Sequence, residues 1–487
     1  MADRNALMAV AVKFNSAKFK TTRRSRSPIA KSGPALAVFS VLLWLMADHR
    51  TGETAEARTS IEQCSVLDVE SGEMVPNQTI VIRGSQIERV VGAQEIGPMP
   101  GDVRRIDGRG KYAIPGLIDA HVHVVHVLDF AHVTGDEVLP LYLAAGVTSV
   151  RSTGDELVAG RLVARFAASH PERAPRVFTC SPLLDGDPPI HRDIGYAITD
   201  PGRVGELFDE LKAWDVRTVK IYAGTARPVG RAIIDESHRR GLFVTAHLGR
   251  YSAQDAVADG VNGLEHIWSV FNYVIPPEVS GQPGHRGRLD VNNPLSESLV
   301  SELARQKIFV DPTLSVFRNM LLLPDVLEPC DQRDCESVPK RLRDFWPVYL
   351  KRSGCPQGGP LEDRRREFAK FQELTGKLYR AGVPIQAGTD APEPNVPPGL
   401  SLHLELELLV GSGLPPAAAI RAATLNNATT LGERDRLGTI TAGKVADLVL
   451  LSANPLDDIR HTRSIERVFH EGIESHPADL LKLVPPE

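Results

Sequence analysis

Between Ile114 and Leu431 the chain switches eight times between short β-rich runs and helical patterns, and this alternation narrows the possible folds more than any other feature. The runs are Leu117 to Val124, Thr148 to Ser152, Arg176 to Cys180, Thr218 to Tyr222, Phe243 to His247, Gly263 to Ile267, Phe309 to Pro312 and Pro384 to Ala387. Helical patterns fall between them, among them Val204 to Trp214 and Arg231 to Arg240, the latter stopped by Gly241. Eight such repeats predict an α/β fold in which parallel strands close into a (β/α)8 TIM-like barrel. The chemistry of such a barrel gathers at the C-terminal ends of its strands.

The flanks read differently. Thr79 to Ile82 and Ile87 to Val91 are strand-like and separated by Arg83-Gly84-Ser85. Near the other end, Gly438 to Ile440, Asp447 to Leu451 and Ile465 to Phe469 have the same character. The expectation is a small β-sandwich domain built from residues 58–113 and 433–487 around a barrel of residues 114–432; the chain's 487 residues are enough for both. From about Arg318 to Arg366, charges and cysteines interrupt the interval between the seventh and eighth strands. This stretch reads either as an insertion over the barrel mouth, a lid or substrate wall, or as a surface excursion.

Residues 1–57 stand outside the fold. Met1 to Lys31 holds eight Lys or Arg residues against one acid, Asp3, and the apolar run Pro34 to Ala47 follows. That is a signal-type pattern, with Ala55-Glu56-Ala57 as an A-x-A cleavage site. The run falls short of the roughly 20 apolar residues a spanning helix needs. The expectation is export, periplasmic or extracellular; the alternatives are a retained membrane anchor, or a cytoplasmic protein if the segment is no signal. A formal net charge of -5 gives no basic footprint for nucleic acid. The five cysteines contain no C-x-x-C pair, which argues against thiolate metal binding. In an exported chain a disulfide within Cys330, Cys335 and Cys355 competes with three unrelated loop thiols.

His121 and His123 lie two apart on the first strand and therefore project from one face, where two imidazoles make good zinc ligands. Alone, H-x-H arises easily by chance. Later strand ends add Lys220 in an otherwise apolar strand, His247 closing the fifth, His266 closing the sixth and Asp390 closing the eighth. A buried lysine is costly unless its charge is paired or removed. Tyr222, two beyond Lys220, shares its face and is either a hydrogen-bond donor to the reacting carbonyl or a packing residue. Three further positions are weaker candidates for substrate contact or support: Arg151, which reads more readily as a barrel-rim ion pair, His191, and His403 on a helical run.

Taken together, these residues resemble the amidohydrolase superfamily over nearly the whole chain beyond the leader. The signature is Ile114-Pro115-Gly116-Leu117-Ile118-Asp119-Ala120-His121-Val122-His123, and Gly443 to Leu450 is similar to the family's closing β motif. Val219-Lys220-Ile221-Tyr222, Ala387-Gly388-Thr389-Asp390-Ala391-Pro392 and Gly399 to His403 are most similar to the imidazolonepropionase-like and Xaa-Pro dipeptidase-like branch. That branch often carries Gly-Gly-His after the third strand, where this chain has Pro188-Pro189-Ile190-His191-Arg192.

The resemblance implies two divalent ions, zinc first, with manganese, cobalt or iron as alternatives. His121, His123 and Asp390 would hold one ion, His247 and His266 the other, and a carboxylated Lys220 would bridge them. The implied reaction is amide hydrolysis by metal-activated hydroxide, with Asp390 as general base and then acid. The implied substrate is a small molecule resembling a dipeptide or N-acyl amino acid, and the implied assembly is a homo-oligomer. A cyclic amidase or imidazolonase, a lactonase or esterase, and more remotely a non-catalytic binding homologue are the competing readings.

Overall fold

The computed structural model describes residues 57–97, 102–214, 216–282, 284–322, 335–353 and 359–485. The leader, its apolar run, and Cys330 and Cys355 lie outside the described residues. Cys335 is disulfide-bonded, whereas Cys64 and Cys180 are free and buried. Among the described residues, no helix is long and apolar enough to cross a membrane.

Seven parallel strands stand side by side in chain order: Leu117–Val122, Val147–Ser152, Arg176–Asp185, Thr218–Ile221, Phe243–Ala246, Gly263–Glu265 and Phe309–Asp311. Helices between them pack outward, among them Gly135–Ala144, Leu157–Ser169, Val204–Ala213, Arg227–Arg239 and Pro294–Gln306. The fourth of these begins four residues before the expected Arg231, since Pro228 suits a first helical turn, and Gly241 at φ +68° ends it. Outward strand residues such as Val150, Val219, Val244 and Val310 are buried in one core with the inner helix faces.

The expected eighth strand, Pro384 to Ala387, is not a regular strand, yet it fills the last position in the barrel. Gln386 N–H donates to the Val310 carbonyl at 2.9 Å and Val310 N–H to the Pro384 carbonyl at 3.0 Å. On the other side Ala120 N–H donates to the Ala387 carbonyl at 3.1 Å and His123 N–H to the Ala391 carbonyl at 2.8 Å. The ladder is broken because Pro384 brings no donor and Asp390 turns the chain at φ +65°. Gly388 permits the tight approach: a Cβ there would sit 2.6 Å from His121 Cβ and 2.2 Å from Asp311 Oδ2.

The two chain ends share one eight-stranded sheet. Its order runs from Ile473–Ser475 through Ile465–His470, Leu448–Leu451, Tyr112–Pro115 and Arg58–Asp68 to Glu73–Arg83 and Gln86–Gly92. Arg104–Asp107 pairs with Arg58–Asp68 off this path. Most neighbours are antiparallel, but Arg104–Asp107 and Tyr112–Pro115 both run parallel to Arg58–Asp68. The sheet curls until its far edge meets the Gly443-Lys444 turn: Ile87 N–H donates to the Lys444 carbonyl and Gly443 N–H to the Ile87 carbonyl, both at 2.8 Å. Ile80, Ile87, Leu448, Leu450 and Phe469 fill the core so enclosed. Gly438 to Ile440, expected as a strand, is irregular. Gly438 sits at φ +85° with its Cα face against Leu425, where no ladder can continue.

Candidate metal centre

His121 and His123 end the first barrel strand and are 1% and 7% exposed. Both turn Nε2 toward one carboxylate oxygen, Asp390 Oδ1, at 3.4 and 3.3 Å. Ligands bound tetrahedrally at about 2.0–2.1 Å stand about 3.3–3.4 Å apart. His266 joins from the sixth strand end, its Nδ1 4.0 Å from Asp390 Oδ2. His121, His266 and Asp390 form one donor group compact enough for a cation. His247 completes the row, its ring centroid 4.5 Å from that of His266, which in turn lies 4.6 Å from that of His121. His266 and Asp390 both hold positive φ, 64° and 65°, a costly conformation for residues with side chains.

Lys220 points into the same interior from the strand Thr218–Ile221 and is 1% exposed. Its Nζ has no hydrogen-bond partner among the described residues. Burial, helped by the Arg151 guanidinium, pushes its pKa down and outweighs the pull of Glu265.

Burial, then the charge of Lys220, likewise lowers His121 to about 4 and His247 to about 3. His266 is held well below its ordinary value by burial and His247. These rings are therefore neutral imidazoles at neutral pH, the form that donates to a metal. His123 is opposite: burial pulls it down, but Asp155 and Asp390 outweigh this and raise it to about 10. Asp155 Oδ1 lies 3.7 Å from His123 Nδ1, an electrostatic neighbour rather than a hydrogen bond. Burial works against the charge of Asp390, yet His121, His123 and His266 hold its carboxyl well below the usual range. The carboxylates here are laid out for positive charge in their midst.

A polar frame that sequence reading missed fixes the donors. Glu265, fully buried, accepts from Arg151 Nη2 at 2.5 Å and Thr245 Oγ1 at 2.7 Å, and lies 2.8 Å from His121 Nδ1. Asp119 accepts from Thr389 Oγ1 at 2.7 Å and from the N–H groups of Thr389 and His121, pinning the eighth segment to the first strand. Asp155 accepts from Val124 N–H at 2.7 Å and His126 N–H at 2.9 Å and shapes the loop beyond His123. Asp311 and Glu265 make a second donor group with His121. Glu265 had a visible signal, an acid inside an apolar strand immediately before His266. The others are set by contacts distant in sequence.

Tyr222 lies 4.7 Å, centroid to centroid, from His247 and 5.5 Å from His191. Burial, reinforced by Asp390, raises its pKa well above the ordinary value and keeps its hydroxyl a donor. Two weaker candidates lie elsewhere. Arg151 is fully buried and committed to Glu265 and the Ala120 carbonyl, so it faces the barrel interior and no substrate. His403 is fully buried between Thr462 Oγ1 at 2.9 Å and the Ala145 carbonyl at 3.0 Å, a joint between helix Leu400–Gly411 and the elements around it.

Comparison with known proteins agrees with this fold. The sequence profile described as the Amidohydrolase family matches residues 349–473. Ochratoxinase of Aspergillus niger is 35% identical over 114 residues, 22% of this chain; the chain thus spans about a quarter of that relative, 23%. Imidazolonepropionase of Geobacillus thermodenitrificans (strain NG80-2) is 24% identical over 363 residues, 72% of this chain and 77% of that protein. The crystal structure of a provisionally assigned prolidase from Bifidobacterium longum superposes with a TM-score of 0.66 and 25% identity, covering 88% of this chain and 98% of the other.

Proposed function

The chain belongs to the amidohydrolase superfamily, and we propose that it is a metal-dependent hydrolase of amide bonds acting on a dipeptide or an N-acyl amino acid. The observation that carries the proposal is the convergence of His121 Nε2 and His123 Nε2 on Asp390 Oδ1 at the spacing of ligands around one ion. The unpartnered Nζ of Lys220 fits the same centre. His121, His123 and Asp390 would hold one divalent ion and His247 and His266 a second, with zinc favoured by nitrogen and oxygen donors. Such ions acidify water and polarise a carbonyl near neutral pH.

The chain's own residues supply the remainder. Burial pushes the Lys220 amine toward its neutral form, and that form is the one that adds carbon dioxide, with loss of a proton. The carbamate so formed would offer two anionic oxygens where an ammonium offers no donor atom, and would also relieve the burial cost. Asp390, ionised in the presence of three imidazoles, accepts a proton from the attacking water and returns it to the leaving nitrogen. Tyr222 donates its hydroxyl proton in a hydrogen bond to the carbonyl oxygen as charge develops there. The resemblance to a prolidase fold and to imidazolonepropionase supports amide substrates. The test is a screen of dipeptides, N-acyl amino acids, lactones and cyclic imides with zinc, manganese or cobalt present and, separately, after chelation. Hydrolysis of the first two classes, lost on chelation and restored by metal, is expected. Undiminished activity without metal would sink the proposal.

A further inference from the structure

The helix Lys340–Ser353, part of the interruption before the eighth segment, is fastened over the barrel mouth. Leu342 and Trp346 are buried in one cluster with Val127, Leu128 and Val138 from the chain that follows the first strand. Trp346 Nε1–H donates to the Pro392 carbonyl at 2.9 Å, and Arg341 Nη2 reaches Glu137 Oε1 at 2.7 Å. Held on both sides in this way, the helix is a fixed wall.

It brings Tyr349 to His126. The Tyr349 hydroxyl lies 3.5 Å from His126 Nε2, while His126 Nδ1 lies 2.8 Å from Asp193 Oδ2. The rings then form an unbroken path. Phe345 to Tyr349 spans 5.9 Å between centroids, Tyr349 to His126 6.4 Å, and His126 to His191 5.2 Å. The path continues through Tyr222 to His247. Phe130 backs it at 5.8 Å from His126 and is 43% exposed; Ile190, beside His191, is 59% exposed and Val348, beside Tyr349, 42%. Large apolar side chains left open around a polar centre are the usual lining of a small-molecule pocket. Centroid spacings of 5–6.5 Å at steep tilts show how this wall would receive one more ring.

We propose that Tyr349, backed by Phe345 and Phe130, forms a subsite for an aromatic side chain next to the scissile amide, and that it determines specificity. This rests on the hydrolase reading, since it places the substrate's side chain beside the metal centre. Polar or small side chains would leave the wall wet and gain little there.

The test measures binding of the products phenylalanine and alanine to the full zinc-loaded chain by calorimetry, alongside kcat/KM for N-acetyl-phenylalanine and N-acetyl-alanine. The parent should prefer the aromatic ligand. Tyr349→Ala should cut that preference about tenfold by weakening the aromatic ligand alone, whereas Tyr349→Phe, which keeps the ring, should retain it. Phe130→Ala, on an exposed position, should act in the same direction as Tyr349→Ala. Equal affinities in the parent, or an equal loss for both ligands in Tyr349→Ala, would overturn the subsite. If no amide is hydrolysed but the binding preference exists and falls in Tyr349→Ala, the hydrolase reading fails and the subsite stands; hydrolysis without preference gives the reverse.

Discussion

Replacing Glu265 by Gln tests the frame beneath the metal centre without touching any proposed ligand. The carboxylate serves three buried partners at once: Arg151 at 2.5 Å, Thr245 at 2.7 Å and His121 Nδ1 at 2.8 Å. An amide has one oxygen to offer, and its NH2 must face either the guanidinium or the imidazole N–H. Arg151 would keep its charge with its counter-ion gone, and breaking a buried pair from one side costs about 3–5 kcal/mol. His121 would lose the partner that orients its ring, which for a metal ligand costs about 10–100-fold in affinity. Thr245→Val, removing one hydroxyl from the same carboxylate, should cost about 1 kcal/mol. Urea unfolding of the metal-free chains reads the first quantity, and zinc competition against a chromophoric chelator reads the second. The pH dependence follows from the sign of the shift. Burial opposes ionisation of Glu265, but Arg151, Lys220 and His121 hold its pKa well below the ordinary value. Its contribution is therefore complete above the usual carboxylate range and lost as pH falls below it. Glu265→Gln should flatten that acid limb. Unchanged unfolding and unchanged zinc affinity in Glu265→Gln would refute the reasoning.

Asp390→Asn should fold and turn over substrate about 10²–10⁴-fold more slowly, measured as kcat on the best amide of the screen, because it removes the proton carrier. His403→Ala should lower stability by about 1–3 kcal/mol in urea, leaving the Ala145 carbonyl without its partner while Thr462 keeps only its bond to the Ile459 carbonyl, with kcat/KM unchanged. Asp155 has its pKa lowered from 3.8 to about 2: burial opposes this, and His123, Ser152 and the His126 N–H outweigh it. The stability it supplies is present above about pH 4 and lost as pH falls toward 2; acid unfolding of Asp155→Asn, followed by circular dichroism, should show a shallower fall over that window. Gly388→Ala should lose metal affinity and stability together, since its methyl would press on His121 Cβ and Asp311 Oδ2, and the same chelator competition checks it.

The barrel was legible because its pattern is local. Each strand is a short β-rich run, each connection carries its own helix signals, and the donors sit where strands end. Lys220 stood out because a charge in an apolar strand demands an explanation. The eighth segment kept its place but not its regularity, because its hydrogen bonds to Val310, Ala120 and His123 belong to partners far away in sequence. Distance in sequence also hid Asp155 and the Asp193–His126–Tyr349 contacts, whose roles depend on which strand end faces which loop. Arg151 and His403 were each open to two readings in the sequence, an ion pair being the favoured one for Arg151. A polar residue near a strand end or on a helix suggests substrate, and only burial shows that Arg151 serves Glu265 and that His403 joins two elements. Gly438 to Ile440 carried β-type residues, but the contact of Gly438 with Leu425 prevented a strand.

The most direct test of the metal centre is anomalous diffraction from crystals of the zinc-loaded protein, recorded on both sides of the zinc edge. The account predicts one peak among His121, His123 and Asp390 and a second beside His247 and His266, with Lys220 reaching both through density beyond Nζ. A peak-free centre, or zinc held only by His121, Glu265 and Asp311, would contradict it.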